Sequence, residues 1–168
     1  ISDNIDYGWG SGPILNSGIY EDVVVRWTGW INPPTDQTYY LCAASDDGFK
    51  LYLDGVNVIN DWYDRGGGCG QTADVDFSDG EPKELLAWYY ENGGGAHAAL
   101  LWYTGSGWSV VPDDWYYQTE PSPTTTTTEA PTTTVGETTT TVAETTTTSS
   151  STTTLPPPPK TPAQQEEE

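Results

Sequence analysis

"AASDDGFKLYLDG", residues Ala43 to Gly55, passes through Asp-Asp-Gly, alternates apolar and polar side chains, and stops at Asp-Gly. On an extended chain Phe49, Leu51 and Leu53 share one face while Lys50 and Tyr52 look the other way, because successive strand residues point to opposite sides. Asp54-Gly55 is a favoured hairpin corner, and "VNVIN" (Val56 to Asn60) follows it as the returning strand. The same pattern extends in both directions. "DVVVRWTGWI" (Asp22 to Ile31), "QTYYLCAA" (Gln37 to Ala44), "TADVDF" (Thr72 to Phe77), "ELLAWYY" (Glu84 to Tyr90), "AHAALLWY" (Ala96 to Tyr103) and "WSVV" (Trp108 to Val111) are short, aromatic or β-branched. Between them lie "NPPTD", "DRGGGCG", "SDGEP", "ENGGG" and "TGSG", all strong breakers. Short strands at this spacing predict an all-β fold, an antiparallel sandwich or barrel with almost no helix. Period two places Ala98, Leu100 and Trp102 on a core face and turns His97 and Tyr103 outward.

Composition divides the 168 residues near Gln118. All eight Trp, all eleven Tyr and both Phe precede that point, enough apolar material for one core. Residues 119–168 are Thr runs, scattered Glu and "LPPPPKTPAQQEEE", without the apolar side chains that offset an ordering cost of about 1 to 2 kcal/mol per residue. The expectation is a folded domain over 1–118 and a disordered, low-complexity stalk or linker over 119–168. A net charge of −20 argues against nucleic acid and against anionic membrane surfaces, which reward cationic faces. No apolar run is long enough to span a bilayer. Neither a secretory start nor an initiator Met is present, so the chain reads as a processed or partial product. Cys42 and Cys69 are either a disulfide or two unrelated thiols. The Thr/Pro stalk points outside the cell, where a disulfide survives, and favours the first.

No catalytic constellation stands out. His97 is the one histidine and has no nucleophile at a readable spacing. The two cysteines do not form a zinc spacing, and "ENGGGA" lacks the Lys and Ser/Thr of a phosphate loop. A non-enzymatic module is expected. Asp46-Asp47 has two readings: a turn with a spare carboxylate, which the residues alone favour, or an ion site. A calcium ion takes about six to eight oxygens from carboxylates, Asn side chains, carbonyls and water, and "ENGGGA" supplies an Asn and pliable backbone. Neighbouring strand residues face opposite ways, so both carboxylates reach one ion only if the backbone between them is distorted, as a cis peptide would do.

The series "IDYGWGSG" (Ile5 to Gly12), "VVVRWTGWINPPTDQTYYLCAASDDGFKLYLDGVNVINDW" (Val23 to Trp62) and "WYYENGGGAHAALLWY" (Trp88 to Tyr103) resembles the protective-antigen, or PA-14, domain family, in order and spacing. That resemblance implies an antiparallel β-sandwich of a kind found in toxins, glycosidases, proteases and adhesins. In lectin members two neighbouring aspartates joined by a cis peptide bind Ca²⁺, which coordinates sugar hydroxyls, and a second loop adds an Asn side chain and carbonyls. Carried over by position, the resemblance implies Asp46 and Asp47 as metal ligands, with the Asn92 side chain and the carbonyls of Gly94 and Ala96. Asp46, Asp47 and Asn92 would then also carry the sugar. Asp61, Trp62, Tyr63 and Asp64 form a candidate specificity loop, with Trp62 and Tyr63 as stacking residues; for Trp62, packing in the core is the favoured competing expectation. His97 beside this site has no assigned role. The expected function is calcium-dependent carbohydrate binding by a secreted or cell-surface microbial protein, presented on an O-glycosylated stalk, with glycans as partners. Family members usually carry another strand before the segment matching "IDYGWGSG". Its absence motivates an alternative: a structural subunit of an extracellular filament, assembled with copies of itself by strand donation.

Overall fold

The computed structural model describes residues 4–122; residues 1–3, and all of the expected stalk beyond residue 122, lie outside the described residues. The strands are β1 (Asp6–Gly10), β2 (Val23–Ile31), β3 (Thr38–Asp46), β4 (Gly48–Leu53), β5 (Val56–Asp61), β6 (Cys69–Asp76), β7 (Lys83–Glu91), β8 (Ala96–Tyr103), β9 (Trp108–Val110) and β10 (Tyr116–Tyr117). Short 3-10 turns occupy Ile14–Asn16 and Asp113–Trp115. The strands form an antiparallel β-sandwich. One sheet has the order β1-β8-β3-β6, with β9 also paired to β8, and the other has the order β10-β2-β7-β4-β5.

The period-two reading accounts for the second sheet. β2 and β7 pair along their whole length, from Val23 opposite Glu91 to Ile31 opposite Lys83. Val25, Trp27 and Ile31 of β2, and Leu85, Ala87 and Tyr89 of β7, face inward and are buried, whereas Val24, Arg26 and Thr28 face out. Large inward side chains meet small ones in this register, Trp27 opposite Ala87 and Leu85 opposite Gly29, so that neighbouring strands of the sheet do not crowd bulky groups side by side on the core face. In β4, Phe49, Leu51 and Leu53 are buried as alternation requires.

Two aromatic groups fill the interior. Towards one end Trp27 lies 6.3 Å from Phe49 and 6.4 Å from Tyr89, and Trp9 lies 5.5 Å from Tyr89. Towards the other, Trp115 packs 5.0 Å from Tyr39 and 5.1 Å from Trp102. Truncating any one of these large side chains to Ala is worth about 3 to 5 kcal/mol. Cys42 in β3 and Cys69 at the start of β6 are joined as a disulfide with an S–S distance of 2.09 Å.

Topology also decides where loops gather. Four of the passages from one sheet to the other, through residues 11–22, at the Asp46-Asp47 corner, through residues 62–68 and through residues 92–95, lie at the same end of the sandwich, as the registers Gly10 opposite Ala96, Val23 opposite Glu91, Gly48 opposite Tyr90 and Phe49 opposite Asp61 require. The other passages, through residues 32–37, 77–82 and 111–115, lie towards the opposite end with the β4–β5 and β8–β9 hairpins.

Candidate metal centre

Asp46 ends β3 and Gly48 begins β4, so the corner between two sheets is a single residue long, and the Asp46-Asp47 peptide is cis. Asp47 is buried, and both its carboxylate oxygens accept backbone hydrogen bonds from other loops. The Arg65 N–H donates to Oδ1 at 2.9 Å and the Asn92 N–H donates to Oδ2 at 2.9 Å. One aspartate thereby ties together three of the four sheet crossings at this end. The Asp46 side chain is partly exposed beside it.

Glu91 completes a cluster that sequence reasoning missed. It ends β7 on the inward-facing side and is 1% exposed. One oxygen from each of Asp46, Asp47 and Glu91 lies within 4.8 Å of the other two. The Tyr89 hydroxyl stands 2.9 Å from Glu91 Oε2 and 2.5 Å from the Asp46 carbonyl oxygen, while Glu91 Oε1 has no hydrogen-bond partner. A readable signal existed: continuing the inward series Leu85, Ala87, Tyr89 by two residues puts a glutamate in the core.

Crowded negative charge shows in the protonation equilibria. Burial, and then the neighbouring Asp47, push the Asp46 carboxyl above its usual range, against the opposing influence of His97 and Arg65. Burial pushes Glu91 up as well; the hydrogen bond from Tyr89 opposes this, and Asp47 and Asp46 add to it. Burial and the hydrogen bond to Glu91 hold the Tyr89 phenol far above its ordinary value. Tyr90 is pushed up to about 12 by burial and by its bond to Asp64. Every one of these groups is shifted in the sense that a nearby cation would reverse. An all-oxygen donor set with one buried oxygen left without a partner fits a hard divalent cation.

The surrounding loops are held by side chains. Asn92 is exposed, and its Nδ2 donates to Asp64 Oδ2 at 2.9 Å; Asp64 Oδ1 accepts from the Tyr90 hydroxyl at 2.8 Å. An amide that donates through Nδ2 presents Oδ1 as its remaining acceptor. Gly94 sits in the same loop at φ +107°, and a Cβ on Gly95 would lie 3.8 Å from Asp46 Oδ2, so this backbone runs against the carboxylate. Ala96 begins β8, buried and opposite Gly10. His97 is opposite Asp46 in the β3–β8 register.

Arg65 anchors residues 62–68. Its Nη1 pairs with Asp61 Oδ2 at 3.5 Å and donates to Ser45 Oγ at 3.4 Å, and its Nη2 donates to the Gly68 carbonyl at 3.0 Å. Gly70 is required here, because a Cβ would fall 1.9 Å from Asp61 Oδ2.

Core packing of Trp62 is overturned: the side chain is 37% exposed. Asp61 closes β5 with its own side chain buried, so the next residue must turn outward. The Trp62 ring stands edge-on to Tyr90 at 4.7 Å with the Lys50 ammonium 4.8 Å from its centre. Trp62 and Tyr90 line a groove of about 340 Å³ with Asp22, Val23 and Val24, and the groove continues to Glu91 and Asn92. Tyr63 is exposed nearby, its ring 6.0 Å from the Arg65 guanidinium, and does not line the groove.

Known proteins share this plan. The anti-sigma-I factor RsgI3 of Acetivibrio thermocellus is 30% identical over 102 residues, 61% of this chain; the chain spans only 16% of that protein's length. An anti-sigma factor domain-containing protein from Clostridium clariflavum superposes with a TM-score of 0.60 at 26% identity, over 71% of this chain and 40% of that one. A PA14 sugar-binding domain from an RTX adhesin superposes with a TM-score of 0.57 over 71% of this chain and 77% of its own; at 20% identity the likeness concerns the fold. The family model described as the PA14 domain matches residues 1–111, and the chain belongs to that family.

Proposed function

We propose that this domain binds carbohydrate reversibly through a calcium ion held at the Asp46-Asp47 corner, without making or breaking a bond. The observation that carries the reading is the convergence of three carboxylates, one oxygen unpartnered, at the loop-bearing end of the sandwich beside an open groove. Asp46 and Asp47 would hold the ion with the Asn92 side chain and the carbonyls of Gly94 and Ala96. When bound, calcium supplies coordination positions at which vicinal sugar hydroxyls replace water. The protein's own residues do the rest. Asp47 fixes the spacing of the loops, Asp64 orients Asn92, and Trp62 and Tyr90 offer ring surface to the C–H face of a pyranose.

Glycan-array binding of the full chain is expected in calcium, to vanish in EGTA and to return on adding calcium back. Asp47→Asn should show no binding in either condition. Glycan binding that persists in EGTA would overturn the mechanism.

The disulfide favours an oxidising, extracellular setting. The anti-sigma factor relatives favour a second reading of its use, in which the domain is the recognition part of a longer regulatory protein, not an adhesin. Joining the domain to its neighbouring segments and measuring a glycan-dependent change in a regulated transcript would separate the two.

A further inference from the structure

We infer that Glu91 is a third carboxylate ligand of the cation site, closing it from the sandwich interior, with Tyr89 as its positioning residue. The inference rests on the cation-binding reading above. It adds a residue for which neither the adjacent-aspartate motif nor the glycine-rich loop accounts.

Glu91 stands where an apolar side chain belongs. Leu85, Ala87 and Tyr89, the preceding inward residues of β7, are all fully buried. A carboxylate at that position must have a reason to be there, since a buried charge is tolerated only when paired or metal-bound. Pairing within the protein does not supply it. The ion pairs among the described residues join Arg65 to Asp61 and Lys83 to Asp54 and Asp79, and none reaches Asp46, Asp47 or Glu91. Hydrogen bonding does not complete it either: the Tyr89 hydroxyl meets Oε2, and Oε1 is left buried with no partner. Two negative neighbours make the arrangement worse in the absence of a positive charge.

The spacing is close to that of a calcium site. Three oxygens all within 4.8 Å of one another need to draw in only slightly for one ion to reach them at a Ca–O distance of roughly 2.3 to 2.6 Å. The Tyr89 hydroxyl has one proton for two acceptors, Glu91 Oε2 and the Asp46 carbonyl. It therefore couples the buried glutamate to the corner that carries the aspartates. Protein covers the ion from below, through Glu91, and the partly exposed Asp46 leaves the outer side for a sugar.

The test compares full-length wild type, Glu91→Gln, Tyr89→Phe and Asp47→Asn by calcium titration calorimetry and by melting in calcium and in EGTA. Glu91→Gln is expected to bind calcium about 10- to 100-fold more weakly. It should melt at or above wild type in EGTA and below wild type in calcium, a reversal of sign that a packing role would not produce. Tyr89→Phe should weaken calcium binding less than Glu91→Gln does. Wild-type calcium affinity in Glu91→Gln, or a fall in melting temperature equal in both conditions, would overturn the ligand role, and unchanged affinity in Tyr89→Phe would overturn the positioning role. A wild type that takes up no calcium would sink the cation reading itself, a result distinct from these.

Discussion

Gly48 has no room for a side chain: a Cβ there would lie 2.1 Å from Cε1 and 2.6 Å from Cδ1 of Tyr90. The consequence runs outward through hydrogen bonds, since the Tyr90 hydroxyl holds Asp64 and Asp64 holds Asn92. Gly48→Ala is expected to cost about 1 to 3 kcal/mol by overpacking and to weaken glycan binding along with it. Thermal melts and binding isotherms of the variant check both, and a variant with wild-type values in each would show that Tyr90 moves freely. The two Asp-Gly steps of residues 43–55 illustrate what could be read in advance. Asp54-Gly55, with φ of +49° and +75°, is the tight hairpin corner that its local chemistry predicts. Asp47-Gly48 has the same local chemistry but joins two sheets, and its identity depends on the pairing of Gly48 with Tyr90, distant in sequence. Asp46, Asp47 and Asn92 were accessible through motif resemblance. Glu91 was overlooked although the inward series of β7 leads to it, Asp64 was legible only as part of a candidate specificity loop, and its hold on Asn92, like the anchoring by Arg65, required knowing how residues 62–68 fold back.

Strands were legible because each carries its own alternation, but their assignment to two sheets was not, because alternation is silent about partners. The longest loop that holds Asp47 and Asn92, the segment between β5 and β6, also joins the two sheets at the candidate site. It is pinned at one end by the Arg65 network and at the other by the disulfide, and Gln71 N–H closes on Asp61 Oδ2 at 2.7 Å. The disulfide spans 27 residues, a closure worth about 3 to 4 kcal/mol in the chain-entropy model. Cys42→Ala/Cys69→Ala is therefore expected to lower the urea midpoint and to raise the m-value, since the uncrosslinked denatured chain exposes more surface, and to weaken calcium binding because Arg65 N–H and Asp64 lose their anchor. Loss of stability with calcium affinity intact would show that Arg65 alone fixes the segment. The edge strand β1 bears on self-assembly. Its register shifts between Gly8 and Gly10, and Asp6 is exposed on it. A bulge and an outward charge are devices that discourage edge-to-edge pairing, so this strand favours a glycan-binding module over a strand-donating filament subunit.

Seen as one molecule, the sandwich closes late. β10 pairs with β2, Tyr116 opposite Ile31 and Tyr117 opposite Trp30, and Asn32 N–H donates to the Trp115 carbonyl at 2.8 Å. Trp115 and Tyr116 are each 5% exposed, and Trp115 is the centre of the aromatic group made by Tyr39 and Trp102. The composition break near Gln118 thus falls just beyond the last residues that the core uses. A chain ending at Ser122 is expected to keep the melting temperature and calcium response of the full chain. A chain ending at Asp114 removes two buried aromatic side chains, each worth about 3 to 5 kcal/mol, against a total stability of about 5 to 15 kcal/mol for a domain. It should be largely unfolded by circular dichroism and bind no glycan, even though every residue of the candidate metal centre is still present. Retention of a cooperative melt by that shorter chain would mean that the far aromatic group is not what holds the two sheets together, and that the end of the sandwich carrying Asp46, Asp47 and Glu91 is self-sufficient.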